Sequence, residues 1–251
     1  MEVHHHPHVE KKSFKEYLLE GLMIFLAVTM GFIAENIREY ISEKKIEKEY
    51  IRSFVADLKS DKAGFDYTIP REESHIKGLD TLLNALTHPP YNDSSVRLLY
   101  YVYRKHLLSI DPMLYTLRTI TQLKNSGGLR LISNQQASDS IVYYNRLADD
   151  ANQTLNYATH DFMIPTIQKG SAIFNGKYFL PYDGETINSI LHTSETIKLL
   201  NNNETVLAEY SGLVYQVKQI RLNYLSELKW HQQRAADMLS FFQKEYNLEK
   251  E

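Results

Sequence analysis

Residues 21–34 read GLMIFLAVTMGFIA, an uncharged and mostly apolar run fenced by Glu20 and Glu35 in an otherwise polar chain. At about 1.5 Å per residue, fourteen residues fall short of a hydrocarbon core of roughly 30 Å. Tyr17, Leu18 and Leu19 before the run and Ile37 after it extend the apolar stretch to residues 17–37, provided that both glutamates lie near headgroups or face a protein partner. The reading is a single transmembrane helix. A cleaved signal peptide fits less well, because Glu10, Glu16 and Glu20 precede the run and no small-x-small site follows it.

The rest of the composition suits a folded helical part. The chain has 251 residues, 43% of them hydrophobic, with a net charge of -3, so a nucleic-acid surface is not expected. Cysteine is absent, which excludes disulfides and cysteine-ligated zinc. Ten glycines and seven prolines are too few for the dense turns of an all-β sandwich or barrel. The expected fold is all-α: a polar arm over 1–16, the span over 17–37, and a helical extramembrane part over 38–251. Within that part we expect a stalk over 38–62, a bundle over 71–200 and a long helix over 203–246.

Spacing supports this division. Ile46, Tyr50, Phe54 and Leu58 lie four apart and make one apolar stripe running on from the span. Gly64 and Pro70 are expected to end it, and Ile76, Leu79, Leu82, Leu83 and Leu86 resume helical spacing. His88 to Asp93, with two consecutive prolines, reads as a turn before a helix over 95–110. Asp111-Pro112 reads as an N-cap followed by proline at the first helical position, Ser126-Gly127-Gly128 as a C-cap, and Ser133 with Gln136 as a capping box. Asn175-Gly176 fits a small hairpin or a plain turn equally well. Short helices are expected near 186–192 and 196–200. Val206, Tyr210, Leu213, Val217, Ile220, Tyr224, Leu228, His231, Ala235, Met238 and Phe242 then form a near-heptad stripe with one stutter at Leu228, suited to a bundle or to an oligomer.

Candidate functional residues are few. Ala27 and Gly31, one turn apart with Ala34 close by, would let membrane helices approach closely. Glu20 and Glu35, about 22 Å apart along a helix, suit opposite membrane boundaries. His4, His5, His6 and His8 could hold a divalent metal, although a flexible arm explains them as well. Leu213, Val217, Ile220, Tyr224 and Leu228 are the helix-association stripe. His75, His88, His106, His160, His192 and His231 show no zinc-protease spacing, Asp149-Asp150 reads as a solvated face, and no nucleophile elbow occurs. Tyr100, Tyr101 and Tyr103 read as partly core. No catalytic residue and no cofactor are expected.

The residues His4 to Glu10, Glu20 to Glu35, Asn36 to Glu39 and Leu123 to Ile132 carry a resemblance to a group of uncharacterised single-span membrane proteins of the Bacteroidota lineage. It implies a native histidine arm and a retained anchor, and it implies no activity. The expected partners are a lipid bilayer and other membrane subunits or a second copy. The expected place is a bacterial inner membrane, with the bulk of the chain periplasmic. The expected role is an accessory or scaffold protein, the alternatives being a metal- or proton-responsive sensor and an envelope enzyme with a site assembled from distant residues.

Overall fold

The computed structural model describes residues 13–179 and 188–248, so the histidine arm lies outside the described residues. Among these the fold is all-α, with helices α1 (Phe14–Thr87), α2 (Asp93–Val102), α3 (Arg118–Ser126), α4 (Gln135–Tyr157), α5 (Ile164–Gly170) and α6 (Glu204–Glu245). The chain divides into two compact units, Met1–Glu49 and Tyr50–Glu251.

In the first unit, α1 carries the apolar run. Every residue from 13 to 45 is at least partly exposed, and none of the 18-residue apolar window is buried. The Thr29 hydroxyl donates to the Phe25 carbonyl at 2.8 Å, so this one polar side chain in mid-run is satisfied within the helix.

In the second unit, α1 continues without a break at Gly64 or Pro70, correcting the expected end of the stalk. Asp57 is buried, and one inward line runs through Ile51, Phe54, Leu58, Asp61, Phe65, Thr68, Glu72, His75, Leu79, Leu82 and Leu86. Steps of three and four alternate through that whole series, which keeps one face inward over ten turns. Four of the inward residues are polar, and they interrupt the apolar pattern that sequence alone shows. Pro70 sits on the exposed side, where its missing amide costs the Asp66 carbonyl a bond that solvent can replace.

Helix α6 shows the same discipline. Leu207, Tyr210, Val214, Val217, Arg221, Tyr224, Leu228, His231, Ala235, Met238 and Phe242 are its buried residues. They follow strict heptad spacing, so the stutter disappears once Arg221 is counted as an inward position. Val206, Leu213 and Ile220 are only half-buried beside this line. Ion pairs Lys218–Asp80 and Arg221–Glu72 and the hydrogen bond from Gln232 to Asp66 run in opposite order along the two helices, which are therefore antiparallel.

Two apolar cores flank a polar layer. One joins Ile51 to Ile69 of α1 with Ile120, Leu123, Ile141, Tyr144 and the α6 residues from Tyr224 to Phe242. The other joins Leu79 to Leu86 with α2, Ile173, Phe174 and the α6 residues from Leu207 to Val217. Between them lie Glu72, His75 and Arg221. The second core is aromatic: Tyr103 stacks on Phe174 at 4.1 Å, and Tyr100 meets Phe174, Tyr178 and Phe179.

Several local expectations change. Helix α2 starts at Asp93 rather than Ser95, and Asn92 caps it, its side chain accepting from the Ser95 amide at 2.9 Å. The helix passes into a π turn over Tyr103–Leu107 and then stops, leaving 108–117 irregular. Helix α3 begins at Arg118, so Asp111 is not its cap. Amides at its start and just before it are held instead from α1: Asp57 accepts from Thr119 at 2.9 Å and Asp61 from Thr116 at 2.7 Å. Gly127 takes the left-handed conformation, φ 66°, that closes α3. Asn134 rather than Ser133 caps α4, accepting from Ala137 at 3.1 Å. A π turn over Ala158–Met163 links α4 to α5 just before Pro165.

Gly176–Phe179 forms a single 3-10 turn, so Asn175-Gly176 is a turn, and no strand occurs among the described residues. Residues 193–203 are irregular, correcting the short helix expected near 196–200. Arg97 fastens this segment by donating to the Ile190, Thr193 and Glu195 carbonyls.

Candidate functional site

Two features stand apart from ordinary core and surface. The first is the exposed stretch of α1. Leu22, Met23, Ile24, Phe25, Leu26, Val28, Met30, Phe32 and Ile33 each keep about half or more of their surface exposed. At about 25 cal/mol per Å², leaving such a run in water is costly, and a covering phase of similar polarity removes the cost. Ala27, Gly31 and Ala34 are all exposed, and a Cβ built on Gly31 meets nothing within 4 Å. Glu35 is held by Arg38 through bonds of 2.9 and 2.5 Å, which neutralises a carboxylate at one end of the run. Glu20 is exposed near the other end.

The second feature is the polar layer between the two cores. Arg221 donates to both Glu72 oxygens, at 3.1 and 2.9 Å, and also to the Ser109 carbonyl. Asp111 receives His75 Nε2 at 2.7 Å and Arg71 at 3.1 Å. His106 enters from the π turn, its ring 5.6 Å from that of His75. His75 and His106 are 7% and 8% exposed, and neither Nδ1 has a hydrogen-bond partner. Burial pushes the Glu72 carboxyl up, with Arg221 acting against that shift. At Asp111 burial also pushes upward, but Arg71 and His75 outweigh it and hold the group below its usual value. Burial, helped by His75, Lys105 and Arg221, pulls His106 down to about 4.

The irregular segment 108–117 owes its conformation to this layer and its neighbours. Its backbone groups are satisfied by side chains of α1 and α6: Ser109 carbonyl by Arg221, Met113 amide by Tyr224, Thr116 amide by Asp61. Burial pushes the Asp61 carboxyl up even though Tyr144 donates to it at 2.6 Å. A cavity of about 20 Å³ lies beside the layer, lined by Glu72, Ile110, Asp111, Val217, Arg221 and Tyr224 among others. That is room for one water, not for a substrate. A more open hollow of about 380 Å³ lies between Tyr91, Asp93, Val96 and residues 196–202. Its carboxylate, Asp93, is engaged by Arg97 at 2.7 Å and by the Ile197 amide.

The residues read from sequence are placed as follows. Val217, Tyr224 and Leu228 of the association stripe are buried inside their own unit, whereas Leu213 and Ile220 are half-buried. Among the histidines, His75 and His106 come together, His231 is buried against Tyr115, and His88, His160 and His192 are exposed. Asp149 and Asp150 lie on a solvated face. Tyr100 and Tyr103 are core and Tyr101 is half-buried. No group of three or more metal-ligating side chains occurs among the described residues. The polar layer escapes sequence reading because its members come from three distant segments. The one available signal is a polar residue recurring at inward heptad spacing.

Comparison with protein-family models, curated proteins and solved structures finds no match for this chain.

Proposed function

We propose that this chain is a single-span membrane protein of the bacterial cell envelope, an accessory or scaffold subunit that acts by helix-mediated association and not by catalysis. The observation that carries the reading is the apolar window of α1, of which no part is buried, in a chain whose other unit encloses two apolar cores of its own. Residues 17–37 are the span, and lipid is the phase that covers it. Ala27, Gly31 and Ala34 form the face that meets another membrane helix, since small side chains let backbones approach. We place the protein in the inner membrane with the bulk of the chain in the periplasm.

The test is purification from native membranes in mild detergent, with and without Gly31→Leu. The unmodified chain should copurify with other membrane subunits or with a second copy, and the leucine variant should lose that company while staying folded. A solitary monomer for the unmodified chain would contradict the scaffold role.

A further inference from the structure

We propose that residues 108–112 are a proton-released latch: protonation of the buried His106 imidazole detaches this segment from α1 and α6 and admits water to the Glu72–Arg221 pair. The idea goes beyond the association role and stands or falls separately from it.

The latch is short, irregular and pinned at both ends, by Leu107 and Met113, which are 0% and 3% exposed. Between these pins Leu108 packs partly against the second core, and the contacts that hold the segment to α1 and α6 are polar. Ser109 offers its carbonyl to Arg221, and Asp111 accepts from His75 and Arg71. Ile110 is exposed and also borders the small cavity beside Arg221. Leu108 is only half-buried, whereas α1 and α6 are fixed by fully buried residues of a core on each side of the layer. Local opening here therefore costs less than parting the helices.

The groups facing His106 leave no place for an added positive charge. From α1 come Glu72 and Arg71, from α6 Arg221, from the π turn Lys105, and from the latch Asp111. Both carboxylates are engaged, Glu72 by Arg221 and Asp111 by Arg71 and His75. His106 lies so close to α1 that a Cβ on Gly78 would sit 2.0 Å from its ring, so the ring cannot swing toward α1 to find a partner. Protonation gives His106 an added N–H with no acceptor and a charge beside Lys105 and Arg221. In the open state the same imidazole is hydrated and takes its proton near the ordinary value of about 6.5. The opened form is thus favoured progressively as pH falls from there toward the closed-state value of about 4.

Hydrogen exchange of the full chain in detergent micelles, with rates corrected for the intrinsic pH dependence, tests this. Between pH 7 and about pH 4.5, peptides covering 103–117 should lose protection by about tenfold or more while those covering 204–245 keep theirs. His106→Gln should abolish the local loss, and Asp111→Asn should produce it already at pH 7. Equal loss in both regions, or unchanged protection over 103–117 in the unmodified chain, overturns the proposal without reference to any variant. A full acid response in the His106→Gln chain would overturn it as well.

Discussion

Arg221 occupies a position where the heptad of α6 otherwise places leucine, valine, alanine or phenylalanine, and it is tolerated because Glu72 stands at the matching inward position of α1. Two buried ions attract each other strongly, yet both have lost their water, so the pair adds little while its rupture is costly. Replacing Arg221 by leucine alone should destabilise the second unit by about 3–5 kcal/mol, whereas Glu72→Leu combined with Arg221→Leu should recover most of that loss. Denaturant unfolding followed by circular dichroism measures both. His106 supplies the pH dependence. Its folded-state value, about 4, lies below the unfolded value, so its contribution to stability is complete above about pH 6.5 and is lost as pH falls toward 4. Allowing for screening by solvent, about 2 kcal/mol should disappear over that window and be absent in His106→Gln. His231, also lowered by burial, acts in the same sense.

Helices that pack through polar inward residues look shorter in sequence than they are. The apolar face of α1 is readable up to Leu58 and again from Ile76. Between them Asp61, Thr68, Glu72 and His75 sit at inward spacing, and Asp61, Glu72 and His75 have polar partners that no local pattern reveals. Gly64 and Pro70, which ordinarily stop a helix, fall within that gap and so gave it a plausible end. Arg221 has the corresponding effect on α6, turning an unbroken heptad into an apparent stutter. Termini set by local chemistry are legible: Gly127 closes α3, and the turn at His88 to Asn92 precedes α2. The start of α3 is not, because amides at and just before it are satisfied by Asp57 and Asp61 from another helix. Gly78 separates the two kinds of information. Helix propensity predicts that Gly78→Ala gains about 1 kcal/mol, but the new Cβ would meet the His106 ring at 2.0 Å. The variant should instead lose about 1–3 kcal/mol by overpacking, with the loss reversed when His106 is also made alanine. Thermal unfolding of the single and double variants decides the sign.

For the molecule as a whole, the apolar run and the two cores divide the large hydrophobic residues between an exposed helix and an enclosed interior. The unit Tyr50–Glu251 contains the aromatic and aliphatic residues that its helices need, while the window in the unit Met1–Glu49 has no burial at all. Deleting residues 1–41 should accordingly yield a water-soluble helical domain whose unfolding midpoint lies close to that of the second unit in the full chain. Aggregation of that fragment would mean that the first unit contributes to the fold of the second. Single-span anchoring itself is tested most directly by alkaline carbonate extraction of membranes holding the full chain, followed by the intact mass of the protein in each fraction. The account predicts the uncleaved chain in the pellet. Recovery in the supernatant, or a mass shortened through the apolar run, would contradict it.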